Sequence, residues 1–447
     1  MTSVRPILIK GGRVIDPSQG IDRITDVAIA DGKILGIDGG IELEDSEVID
    51  ATGMVVCPGF IDLHTHLREP GFEYKETIAT GTAAGARGGF TTVCAMPNTS
   101  PVMDSRSIVD FVMTKAAEEG VVRVLPIGAV TKGSKGKELA EMGELAEAGV
   151  IGFSDDGHPV SDDNIMRQAL GYASSLGLPI INHAEVNSLS SGGVMNEGWI
   201  ATRLGLKGIP NSAEEIMVAR DIELARLTGG RVHIAHASTK GTIELVRRAK
   251  DDGVDVTCEV TPHHLTLPDE TVMGYLSACG PFDILTESAY DSNAKVAPPL
   301  RSRDDVGTMV EALKEGVIDL IATDHAPHGT VDKQTTFEDA ANGISNLETA
   351  LGSVMGLVHA DAVPLPVLIE KLTSSPAGFL GRSDLGTLRA DSPADVTIID
   401  PDAEWVVEPS EFASKGKNTP LAGATLKGRV AATVYGGQMV YDNRVSS

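Results

Sequence analysis

An α/β fold, a (β/α)8 barrel with a small β-rich lobe built from both chain ends, is what this 447-residue sequence predicts. Three observations predict it. Residues 57–385 alternate apolar strand-like runs with Ala-, Glu- and Leu-rich stretches, the pattern of βαβ units. Eight strand candidates can be read there, the number that closes a barrel of this kind. The flanks, residues 1–56 and 386–447, are instead short β-rich runs separated by Gly, Asp and Pro turns.

The N-terminal flank reads as ILIKGG, GRVIDP, DVAIADGKILGI and SEVIDATG. The C-terminal flank repeats that style in ADVTIIDPDAEWVVE and TLKGRVAATVYGGQMVYDN, so strands from both ends are expected to share one sheet. Between them the barrel candidates are VVCPGFIDL, FTTVCAM, VVRVLPIGA, GVIGF, LPIINH, GRVHIAH, VDVTCEV and IDLIAT. The connecting stretches DSRSIVDFVMTKAAEEG, SAEEIMVARDIELARLTG and TKGTIELVRRAKDDG place Leu, Ile, Val and Met near every third or fourth position, the stripe of a core-packed helix.

Composition excludes several functions. A net charge of −26 opposes nucleic acids and anionic membranes, yet leaves room for a local basic pocket that takes a small anion. With 4% aromatic residues there is little basis for base stacking. No stretch reaches about 18 uninterrupted apolar residues, and the N-terminus has no signal-peptide core, so a cytoplasmic protein without a membrane span is expected. Cys57, Cys94, Cys258 and Cys279 are far apart, as befits buried free thiols in a reducing compartment. TKGSKGKEL, residues 131–139, lacks the GxxxxGK[ST] spacing of a nucleotide loop.

The informative regularity is where polar residues follow the strands. His64 and His66 follow the first, Asn98 the second, Asp155 and Asp156 the fourth, His183 and Glu185 the fifth, His236 the sixth and Asp324 the eighth. Catalytic groups of a barrel gather at these ends because one rim collects the loops of all eight units. Nine of the 11 histidines belong to such ends, His233, His263, His264, His325 and His328 among them. In IDLHTH, residues two apart on extended backbone point to one face, which suits a shared cation. His183 and His236 add nitrogen donors, and Asp156 and Asp324 add oxygen. That mixture suits Zn²⁺, with Co²⁺, Mn²⁺, Ni²⁺ and Fe²⁺ chemically compatible. His233 faces away from His236 on a strand and is expected in the core or behind a ligand. Asp324, emerging from an apolar run in IATDHAPHG, is placed to carry a proton to and from water.

Together HTHLREPG, TTVCAMPNT, GFSDDG, INHAE, HIAHAST, CEVTPHHL, KVAPPLR, ATDHAPH and GISNLETALG resemble the dihydroorotases of the amidohydrolase superfamily. The resemblance spans nearly the whole chain, and REPG and MPNT set it apart from dihydropyrimidinases and allantoinases. It implies His64, His66, Asp156, His183, His236 and Asp324 as ligands of one or two Zn²⁺ ions, with Asp324 also the catalytic acid/base. It implies Arg68, Asn98 and His328 as substrate-binding residues. The implied reaction is the reversible cyclisation of N-carbamoyl-L-aspartate to L-4,5-dihydroorotate and water in pyrimidine synthesis. The alternatives are another cyclic-amide hydrolase, or a non-catalytic partner of aspartate transcarbamoylase. A homodimer or larger assembly, with aspartate transcarbamoylase as a candidate partner, is also implied.

GVIGFSDDG has no lysine at its end, so no carboxylated lysine is expected, and Asp156 stands in its place. Two positions depart from the family pattern. Ala297 replaces an Asn of the ring-binding site, and Asn346 stands where relatives often have Gly. Asn293 is the candidate to compensate for Ala297. Residues 329–346 are expected to cover the site as a polar loop, with Lys333 exposed on it.

Overall fold

The computed structural model describes residues 5–275, 286 and 288–444. Cys279 lies outside them. In the lobe, strands Ile7–Asp16, Ile21–Ala30 and Lys33–Ile37 form an antiparallel meander. Val55–Pro58 runs parallel to the first of these and antiparallel to Val396–Val406, with Val56 opposite both Val14 and Ile398. Thr425–Tyr435 and Gln438–Asp442 complete that side. Both chain ends therefore share one sheet. Ile9, Val14, Val27, Ile29, Val56, Ile398 and Val434 pack into a single buried cluster. A slip of one residue in any of these strands would turn its apolar set to solvent, so the alternation enforces the register.

The run VVCPGFIDL is two strands rather than one. Val55–Pro58 belongs to the lobe and the barrel begins with Phe60–Thr65, so the lobe extends past the expected boundary at residue 57. Gly59 joins them. A Cβ there would lie 2.1 Å from Thr91 Oγ1, so the chain crosses between sheets where no side chain fits.

From Phe60–Thr65 the parallel ring continues through Phe90–Ala95 and Arg123–Pro126. The fourth candidate, GVIGF, contributes one bridged residue: Phe153 pairs with Gly128 on one side and Ile180 on the other. Its N–H donates to the Pro179 carbonyl at 3.1 Å and its own carbonyl accepts from Ile181 at 2.8 Å. Ile180–Asn182, Val232–Ile234, Val256–Val260 and Leu320–Ile321 follow. Thr65 pairs with His325 to close the ring. Asp62, fully buried, accepts from the Thr323 N–H at 2.8 Å and from the hydroxyls of Thr65 and Thr323, which ties the first strand to the eighth.

The helices take the positions the periodicity predicts, at Arg106–Glu119, Ser212–Thr228 and Lys240–Asp251. In the last, Thr239 Oγ1 caps the Thr242 N–H at 3.1 Å, and Thr242, Ile243, Val246 and Ala249 form the buried face. Among the described residues no helix is long and apolar enough to cross a membrane. Cys57, Cys94 and Cys258 are free and buried, and burial pushes the Cys258 thiol up to about 12.

Candidate active site

A cavity of about 460 Å³ opens at the C-terminal ends of the barrel strands. His66, Arg68, Asn98, Asp156, His183, His236, Asp324 and His328 line it, and His64 is wholly buried beside Asp156 and Asp324. Arg68, His236 and Asp324 all have left-handed backbone, with φ of 62°, 34° and 47°. Residues with side chains rarely adopt that conformation, and it concentrates where a fold aims a functional group.

His64 Nε2 lies 3.5 Å from both Asp156 Oδ1 and Asp324 Oδ1. His66 Nε2 is 3.1 Å from Asp324 Oδ1 and 3.5 Å from Asp156 Oδ2. His183 Nδ1 and His236 Nε2 are 2.9 Å apart, and both stand within 3.6 Å of Asp156 Oδ1. Two overlapping groups, His64–His66–Asp324 and His64–Asp156–His236, thus present donor atoms within 4.8 Å of one another. His64 Nε2 and Asp156 Oδ1 are buried with no hydrogen-bond partner. Such orphans are costly in a dry interior, and a divalent cation would satisfy them. These residues therefore fit a metal.

The electrostatics agree. Burial alone disfavours a charged His64, but Asp156, Asp324 and Glu259 outweigh it and raise its pKa well above the ordinary value. Despite their own burial, the surrounding imidazoles hold Asp156 well below the usual carboxylate range and lower Asp324 as well. The pocket is built to accommodate positive charge.

Two further groups orient His64 and His66. Glu259, fully buried on the seventh strand, accepts from His64 Nδ1 at 2.6 Å and His233 Nε2 at 3.1 Å, and is held down to about 2 against the effect of its own burial. Engaging Nδ1 leaves His64 Nε2 to face the carboxylates. His233 is buried behind His64 and shares Glu259 with it. Asn98 Oδ1 does the same for His66 Nδ1 at 2.9 Å. Glu259→Gln keeps the volume and removes the charge, and is expected to weaken metal affinity about 10–100-fold. Competition with a chromophoric chelator measures this, and an unchanged affinity would remove Glu259 from the orienting role.

A family model described as dihydro-orotase-like matches residues 53–242. A dihydroorotase of Pelotomaculum thermopropionicum is 52% identical over 440 residues, 98% of this chain and 99% of that protein. Another from Geobacter metallireducens is 50% identical over 436 residues, 97% of this chain and 99% of that one. This chain belongs to the dihydroorotase family of cyclic amidohydrolases. Its fold also superposes on an L-hydantoinase from Arthrobacter aurescens, with a TM-score of 0.84 at 26% identity, covering 98% of this chain and 96% of that one. A dihydropyrimidinase from Brevibacillus agri, at 23% identity and a TM-score of 0.83 over 98% and 95% of the two chains, shares the fold.

Several family positions lie where the sequence did not suggest. Asn346 is buried away from the cavity wall; its amide donates to the Thr323 carbonyl at 3.0 Å and stands 3.3 Å from His263 Nδ1. Ala297 does line the cavity, but Asn293 does not, so Asn293 offers no compensation for it. Lys333 is not an exposed loop lysine. It is 5% exposed, its ammonium donates to the carbonyls of Ser292, Lys295 and Ala341 at 2.9, 3.3 and 2.7 Å, and burial brings its pKa down to about 7. The rim histidines also divide. His264 is used up by Thr261 Oγ1 and the Pro298 carbonyl, and His325 by the Asn346 N–H and Glu76, so neither faces the cavity. Asp155 braces the Val130 and Thr131 N–H groups instead of lining the cavity.

Arg68 is half-buried and donates through Nε to the Pro327 carbonyl at 3.3 Å; among the described residues it has no ion-pair partner. His328 stands in the wall with both ring nitrogens engaged. Nε2 donates to the Asn342 carbonyl at 2.8 Å, Nδ1 faces Lys75 Nζ at 3.3 Å, and burial with nearby Arg68 lowers its pKa to about 2. Residues 329–346, which include the short helix Thr330–Lys333, supply Asn342 and Gly343 to the cavity lining, and Glu185 and His158 also line it. His158 went unnoticed because it follows Asp156 in a loop with no strand pattern to mark it.

Proposed function

We propose that this chain is a metal-dependent dihydroorotase, interconverting L-4,5-dihydroorotate with N-carbamoyl-L-aspartate in pyrimidine synthesis. The observation that carries this reading is one cavity uniting convergent imidazole and carboxylate donors with the unpaired Arg68 guanidinium. His64, His66, Asp156, His183, His236 and Asp324 would hold one or two ions, and their mixed nitrogen and oxygen donors favour Zn²⁺. When bound, such a cation polarises an amide carbonyl and makes water more acidic.

The protein's own groups do the rest. Asp324, a carboxylate whose pKa the neighbouring imidazoles lower despite its burial, accepts a proton from the attacking water as the water oxygen bonds to the ring amide carbon. It returns that proton to the ring nitrogen as the C–N bond breaks. In cyclisation, which starts from the protonated side-chain carboxyl group of the substrate, the same Asp324 carboxylate takes a proton from the carbamoyl nitrogen and gives it to the departing hydroxyl, which leaves as water. Arg68 receives the substrate carboxylate through its terminal N–H groups, a fork that matches two oxygens. The Asn98 amide N–H supports that carboxylate, and the His328 ring closes the pocket beside it. A cationic guanidinium in this wall gives a −26 protein a local site for an anion.

The cytoplasmic assignment is supported by three buried free thiols. A homodimer or larger assembly, with aspartate transcarbamoylase as a candidate partner, belongs to the same proposal. The decisive experiment follows hydrolysis of dihydroorotate, allantoin and dihydrouracil by protein of measured metal content. Dihydroorotate is expected to exceed the others in kcat/KM by at least about 100-fold. Preference for allantoin or dihydrouracil would replace the substrate, and metal-loaded protein inert to all three would favour a non-catalytic partner.

A further inference from the structure

Between lobe strands Val396–Val406 and Thr425–Tyr435 the chain leaves the sheet and returns to the barrel rim. Here the Ala413 and Ser414 N–H groups donate to Glu348 at 2.9 and 3.2 Å, and Ser414 Oγ donates to buried Glu76 at 2.5 Å. A Cβ on Gly416 would lie 2.4 Å from Pro327 Cβ, so this backbone rests directly on the loop that follows Asp324.

Two residues further, Asn418 is 4% exposed and uses its whole carboxamide. Nδ2 donates to the carbonyls of Ala326 and Gly343 at 3.1 and 2.9 Å. Oδ1 accepts from the His328 N–H at 2.8 Å and from Ser345 Oγ at 2.9 Å. Its own carbonyl accepts from the Ser345 N–H at 2.8 Å. Ala326, His328 and Gly343 all line the substrate cavity, yet they come from two stretches on either side of the short helix Thr330–Lys333: 324–329 before it and 334–346 after it. A carboxamide offers two donors and two acceptors, which is what this junction consumes. Aspartate would lose both donors and set a carboxylate against two carbonyl oxygens.

We propose that Asn418 is a positioning residue for substrate binding: from a segment outside the barrel, it sets the spacing of the two stretches flanking helix Thr330–Lys333 that together line the cavity. It makes no hydrogen bond to any of the six metal-holding residues, so its effect should fall on substrate affinity. The inference rests on reading the cavity as the substrate site.

The test uses full-length, metal-loaded enzyme with Asn418→Ala, Asn418→Asp, His328→Ala and the Asn418→Ala/His328→Ala pair. Each Asn418 variant is expected to raise KM about 10–100-fold, the cost of a wall displaced by about 1 Å, with kcat within about threefold and metal content unchanged. In the double variant the Asn418 change should add little, because both act on one wall. An unchanged KM would overturn the proposal. So would a joint loss of metal and kcat whose size is the same with or without His328, since that is general destabilisation. Should the Asn418 variants fail to fold, Ser345→Ala, which removes the hydroxyl that donates to Asn418 Oδ1, carries the same readings at smaller size. If the wild type ignores dihydroorotate, the functional reading fails, and this one is scored on whichever cyclic amide it turns over. Hydrogen exchange across 326–345 needs no turnover: faster exchange in the Asn418 variants supports the proposal and an unchanged rate refutes it.

Discussion

Replacing Asp324 with Asn is expected to slow dihydroorotate opening and closure alike by about 10³–10⁴-fold while the fold survives. The two side chains have nearly the same volume, and an amide oxygen can keep the 3.1 Å contact to His66 Nε2. What the amide lacks is basicity. It cannot take a proton from water or from the carbamoyl nitrogen, so both directions lose the same step. Because Asp324 also belongs to one of the donor groups, metal is measured in the same samples and kcat is determined again at saturating metal. A variant with full metal and near-normal kcat would deny Asp324 its acid/base role. A variant whose kcat recovers with added metal would make it a ligand alone.

Metal removal should have an effect of similar size. Dialysis against a strong chelator is expected to lower turnover by more than about 10³-fold, with recovery on addition of Zn²⁺ or Co²⁺. The stripped protein should also melt at a lower temperature, because an ion that binds only the native state stabilises it by mass action. The reason lies in the rim itself. His64 Nε2 and Asp156 Oδ1 are buried without hydrogen-bond partners, and four imidazoles crowd two carboxylates there. Stripped protein with undiminished turnover would end the reading of this cavity as a metal centre.

The barrel and its rim of donor residues differ in how readily the chain reveals them, and the reasons are physical. His64 and His66 were legible because residues two apart on a strand share a face, and their positions after IDL marked the rim. The separation of Asp156 from Asp155 was less so. The two are neighbours in sequence, and only the bonds of Asp155 to Val130 and Thr131 direct it away from the cavity. Val55–Pro58 reads as continuous with the first barrel strand when only apolar residues are followed; the Pro58–Gly59 pair is the break signal, and the chain changes sheets there.

By itself the sequence determined which side chains carry donor chemistry and which strand ends present them, because strand periodicity and rim placement are local properties. The tertiary structure decided what each group meets. Glu259 lies in an apolar strand 195 residues from His64 in the chain, yet fixes that ring. Lys333 sits in a polar loop, yet three carbonyls from separate turns bury it. Asn418 is 90 residues from His328, yet holds its backbone. Hydrogen bonds and burial depend on distances in space, and those are set only when the barrel has closed and the C-terminal segment has folded back across its rim.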